Sequence, residues 1–104
     1  MKVTFLQSGG FAGATRGCAV DSALLDPEAA REVEGLVQAS RLTASGTSLS
    51  PAARDLKQYE IAVERRGPGD RGAVRVVFDD STVPPAARAL LAYLKQRARP
   101  TRPA

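Results

Sequence analysis

Twice along this chain, two short segments with apolar residues at every second position precede a segment whose apolar residues stand three and four apart. The first spacing is the pleat of a strand with one buried face, and the second is one face of a helix. The order β-β-α-β-β-α follows. In the first pair, residues 2–7 set Val3 and Phe5 against Thr4 and Leu6, and alternation resumes through Arg16, Cys18 and Val20 to end near Asp21. In the second pair, residues 56–65 set Tyr59, Ile61 and Val63 opposite Gln58, Glu60 and Glu64. Gly67-Pro68-Gly69-Asp70-Arg71-Gly72 makes the turn, and residues 73–79 return with Val74, Val76 and Phe78 on one face.

Asp26-Pro27-Glu28 announces the first helix. Asp26 can cap free amides, Pro27 suits the first helical position, and Glu28 favours the positive helix end. Ala29, Val33, Leu36 and Val37 form its stripe, which fades at Ser40, while Leu24 and Leu25 before it are expected to fold back onto the core. The second helix opens at Val83-Pro84-Pro85 and carries Ala87, Leu90, Leu91 and Leu94. Between the first helix and the second hairpin, residues 41–55 are small and polar without periodicity and read as a mobile loop. Strands with one wet face predict an α+β fold: a four-stranded antiparallel sheet with both helices on one face. Residues 1–98 form the single domain and 99–104 a disordered basic tail.

The net charge of +4 has a local origin. Lys95, Arg97, Arg99 and Arg102 fall within the last ten residues, which hold no acid, so the remainder is neutral. A neutral body argues against a nucleic-acid surface. The apolar run at the N-terminus is too short for a signal peptide, no stretch approaches a membrane span, and Cys18 stands alone, so a reducing, cytoplasmic setting is expected.

The chain has no histidine, which removes the commonest general base and metal ligand. One cysteine with scattered acids makes no zinc site, so neither metal nor cofactor is expected. Asp79-Asp80 lies where a strand runs into a helix start, and reads as capping and solubility rather than catalysis. Cys18, at an alternating strand position, reads as a small buried hydrophobe. Neither glycine-rich stretch has the spacing of a phosphate loop. A binding protein, not an enzyme, is the expectation.

The connection of the first hairpin is the most informative stretch. Ser8-Gly9-Gly10-Phe11-Ala12-Gly13 holds three glycines in five positions around a large aromatic. A hairpin turn needs at most two glycines for positive φ, whereas extra glycines let a backbone approach another surface closely. From the residues alone, Phe11 either plugs the end of its own sheet or stands outward as a rigid anchor.

That run, with Arg16 soon after and Asp21 closing the second strand, resembles the opening signature of the emfourin family. The likeness extends to Leu24/Leu25, to Leu56-Lys57-Gln58-Tyr59-Glu60-Ile61, and to Val83-Pro84-Pro85 with Leu90, Leu91 and Leu94, covering roughly residues 2–97. The resemblance implies a small, cofactor-free bacterial protein, expected to be monomeric when free. Its implied function is tight non-covalent inhibition of thermolysin-like zinc metallopeptidases, the relatives of protealysin. The peptidase-contacting residues expected for such an inhibitor are Ser8, Gly9, Gly10, Phe11, Ala12, Gly13 and Arg16. Phe11 would fill the apolar pocket of the cleft while loop backbone makes strand-like hydrogen bonds. One loop is too small for a stable interface of about 1,600 Å², so a second contact is expected from the 41–55 loop or the 67–72 turn.

Two other readings compete. One is a protein-interaction domain whose partner is not a protease. The other is a tail-mediated binder of polyanions, although four basic groups supply little affinity at physiological salt.

Overall fold

The computed structural model describes residues 1–9, 15–51, 56–65 and 72–100. Its strands are β1 (Lys2–Gly9), β2 (Arg16–Asp21), β3 (Gly46–Ser48), β4 (Lys57–Arg65), β5 (Gly72–Asp79) and β6 (Arg99–Pro100); its helices are α1 (Pro27–Ser40) and α2 (Arg88–Arg97). Single 3-10 turns at Ser22–Leu24 and Pro85–Ala87 lead towards the two helices.

Among the described residues the sheet has six strands in the order β3-β5-β4-β1-β2-β6 and is mixed, not a four-stranded antiparallel sheet. Its four long strands pair antiparallel as expected, and the two hairpins join edge to edge through β1 and β4, with Phe5 opposite Ile61. The additions lie at the margins. β3 pairs parallel with β5, inside the segment expected to be a loop, and β6 pairs with Arg16 and Gly17 of β2. Alternation could not reveal β3, because Gly46, Thr47 and Ser48 are all exposed and no buried face imprints a period. Arg99 and Pro100 therefore belong to the sheet rather than to a tail.

One core cluster unites the inward sheet positions Val3, Phe5, Tyr59, Ile61, Val63 and Phe78 with Val33 and Val37 of α1 and Leu90, Leu91 and Leu94 of α2. Both helices thus cover the same side. α1 begins where the sequence said: the Asp26 carboxylate accepts from the Ala29 amide at 2.9 Å, with Pro27 behind it. It stops at Arg41, whose φ of 56° reverses the chain and returns Leu42 to the core. Leu25 packs against the cluster, but Leu24, expected beside it, is 83% exposed. The 3-10 turn explains this. Asp21 caps it through the Ala23 amide at 3.0 Å, and its tight pitch turns Leu24 outward.

Candidate functional site: one rim of the sheet

The strand order decides which loops are neighbours. Arg16 lies opposite Gln7, Gly9 opposite Lys57, Gln58 opposite Asp79, and Ser48 alongside Phe78. One rim of the sheet therefore collects Arg16, Ser8–Gly9, Leu56–Lys57, Asp79–Asp80 and Leu49–Ser50. Arg65 and Gly72, which flank the 67–72 turn, pair at the opposite rim with Lys2 beyond them, about 26 Å away along β4 at ~3.3 Å per residue. Of the two segments expected to supply a second contact, the 41–55 stretch reaches the rim of the first hairpin's connection, and the 67–72 turn leaves from the far one.

Of the residues implied as contacts, Gly10, Phe11, Ala12 and Gly13 lie outside the described residues. Ser8 is half-buried and opposite Gln58. Gly9 is where the ladder ends and the chain turns. Its φ is +88°, and a Cβ there would stand 2.8 Å from the Leu56 carbonyl oxygen. Glycine is needed here both for the dihedral and for the close passage of the 56 backbone. Arg16 is exposed but not wholly outward-facing, since its guanidinium donates to the Ala98 carbonyl at 3.2 Å and ties β2 to the end of α2.

The acid pair has a larger part than capping. Asp79 is fully buried. It accepts from the amide and hydroxyl of Ser50 at 2.7 and 2.9 Å, and from the amide and hydroxyl of Ser81, both at 2.8 Å. Thr82 Oγ1 accepts from the Asp79 amide at 2.9 Å and donates to the Ser48 carbonyl. Asp80 takes the neighbouring segment: its carboxylate accepts from the Tyr59 hydroxyl and, at 3.3 Å, from the Lys57 amide, while its own amide donates to Lys57 at 3.2 Å. The two adjacent carboxylates thus grip the chain at Ser50 and at Lys57, on either side of residues 51–56.

Burial alone would raise the Asp79 pKa, but the donors of Ser50 and Ser81 outweigh it and hold the carboxyl well below the usual carboxylate range. Its folded pKa is therefore depressed relative to the unfolded chain. The stabilisation is complete above the ordinary carboxylate pKa and is lost as pH falls below it, towards the folded value. Acid titration of unfolding should show this loss below about pH 5. Asp79→Asn should flatten that limb and lower Tm on the order of 10 °C at neutral pH. An unchanged acid limb in the variant would rule out Asp79 as its source.

Burial, followed by the hydrogen bond and charge of Asp80, pushes the Tyr59 phenol above its ordinary range, so it stays a donor. Cys18 is half-buried, with its thiol donating to the Leu94 carbonyl at 3.6 Å and raised chiefly by burial, as a small packed side chain would be. Among the described residues, no three acids, cysteines or histidines are grouped to hold a metal ion. No described helix is long and apolar enough to cross a membrane.

The family Emfourin matches residues 5–95. Among solved structures, the chain is similar to "Emfourin (M4in) from Serratia proteamaculans, M4 family peptidase inhibitor". The TM-score is 0.53 and the identity 16%, over 94% of this chain and 89% of that one. At that identity the likeness is one of fold. No curated protein matches significantly.

Proposed function

We infer the function of this chain from its family: it belongs to the Emfourin family, whose members are inhibitors and not enzymes. The chain is a tight, non-covalent inhibitor of M4, thermolysin-like zinc metallopeptidases, and the glycine-rich connection between β1 and β2 enters the active-site cleft. The structurally similar M4in is an M4 family peptidase inhibitor, which supports the peptidase as partner.

The observation that carries the cleft-entry reading is the mounting of that connection. β1 is an inner strand, laddered to β4 through Gly9 and to β2 through Gln7. The connection therefore departs from backbone fixed on both sides, and less ordering entropy remains to oppose binding. Gly9, with its left-handed φ, turns the chain out of the ladder at the rim. A connection departing from backbone so anchored suits a cleft built for extended chain.

Titration into protealysin and thermolysin with a peptide substrate tests the reading. A linear fall of activity to an end point near one inhibitor per enzyme is expected. Unchanged activity at a large molar excess over both enzymes would exclude it.

A further inference from the structure

We propose that Leu49 is a second apolar anchor of the same interface, held in place by Asp79 as a positioning residue; this rests on the inhibitor reading above.

Three described large apolar side chains are exposed: Leu6, Leu24 and Leu49. Leu6 lies at an outward position of β1, and Leu24 follows Asp21 at the far rim. Leu49 alone belongs to the rim of Gly9, because parallel pairing of Ser48 with Phe78 brings it level with Asp79. It is 42% exposed in an otherwise small and polar stretch.

The residues on either side of Leu49 are held by hydrogen bonds while part of its side chain stays open to solvent. The Ser48 carbonyl accepts from Thr82, and both polar groups of Ser50 donate to the buried Asp79. Burying a carboxylate is costly unless its lone pairs are satisfied, and here Ser50 and Ser81 satisfy them. The network thereby holds the chain on either side of an exposed leucine on the same rim as Gly9, with β5 and β4 between β3 and β1. An apolar side chain carried on backbone that is already held loses less ordering entropy when covered than one on a free loop. The partner surface it fits is an apolar patch on the peptidase at the edge of the substrate cleft.

The test measures Kd for protealysin with wild-type chain, Leu49→Ala, Asp79→Asn and the double variant, with Leu24→Ala as the far-rim control. Leu49→Ala is expected to weaken binding about tenfold without changing Tm appreciably, and Leu24→Ala to leave binding unchanged. Asp79→Asn should weaken binding in the wild-type background but add little once Leu49 is gone, because both act through one contact. Ser50→Ala replaces Asp79→Asn if that variant does not fold. Wild-type affinity in Leu49→Ala would overturn this proposal alone, as would an additive loss in the double variant for the positioning role of Asp79. Failure of the wild-type chain to bind would instead bring down the inhibitor reading and this one with it.

Discussion

Phe11→Ala should leave the chain folded and weaken inhibition by about 2 kcal/mol or more, roughly thirtyfold in Kd. An aromatic in a turn can be either a plug or an anchor, and Phe11 lies outside the described residues. The core already has its aromatic centre: Tyr59 stacks on Phe5 with ring centroids 6.2 Å apart and tilts against Phe78 at 5.9 Å. The described rim at Gly9 holds the close passage of Gly9 and Leu56 and the Asp80–Tyr59 contact. Circular dichroism and urea unfolding report the fold, and inhibition of protealysin reports the contact. A variant that unfolds returns Phe11 to the core, and one that folds and inhibits like wild type removes the loop as anchor.

Tyr59→Ala should cost about 3–5 kcal/mol of stability, the usual range for deleting a buried aromatic. The ring is 1% exposed between Phe5 and Phe78, and Lys95 Nζ lies 5.3 Å from its centroid. A domain of this size is stable by only about 5–15 kcal/mol, so the loss is a large share of the whole. Tyr59→Phe separates the two roles of the side chain. It keeps the stack and removes only the hydroxyl donated to Asp80, which should cost about 1 kcal/mol. Urea midpoints at constant m measure both. A Tyr59→Ala loss no larger than that of Tyr59→Phe would mean the ring is not the centre of the core.

What could be read from the sequence is what leaves a local imprint. α1 announced itself because cap, proline and stripe are encoded within residues 26–37, and each was found in place. β1 and β4 each bury one face, and β5 turns Val74, Val76 and Phe78 to one side, so their alternation is visible in the sequence. β3 and β6 bury neither face and left no period; only pairing with β5 and β2 defines them. Strand order is a matter of long-range pairing. The meeting of β1 with β4, which assembles the rim, follows from no local signal.

The candidate site divides in the same way. Gly9 was conspicuous because three glycines crowd one turn, and its φ of +88° gives one physical reason. In the sequence Asp79-Asp80 reads as capping and solubility, because Ser50 and Tyr59 are far from it along the chain and their donors meet it only after the sheet forms. Leu49 gave no sign at all. A single leucine among small polar residues acquires meaning only once the residues flanking it are seen to be held.

Amide hydrogen exchange of the chain, free and bound to an M4 peptidase, tests the central claim that a single rim makes the contact. Added protection should gather at Ser8–Gly9, Thr15–Arg16, Leu49–Ser50 and Leu56–Lys57, and leave Ser22–Leu24, Arg65 and Gly72 as they were. Protection concentrated at Ser22–Leu24 and Gly72 instead would put the peptidase at the wrong end of the sheet and contradict the account.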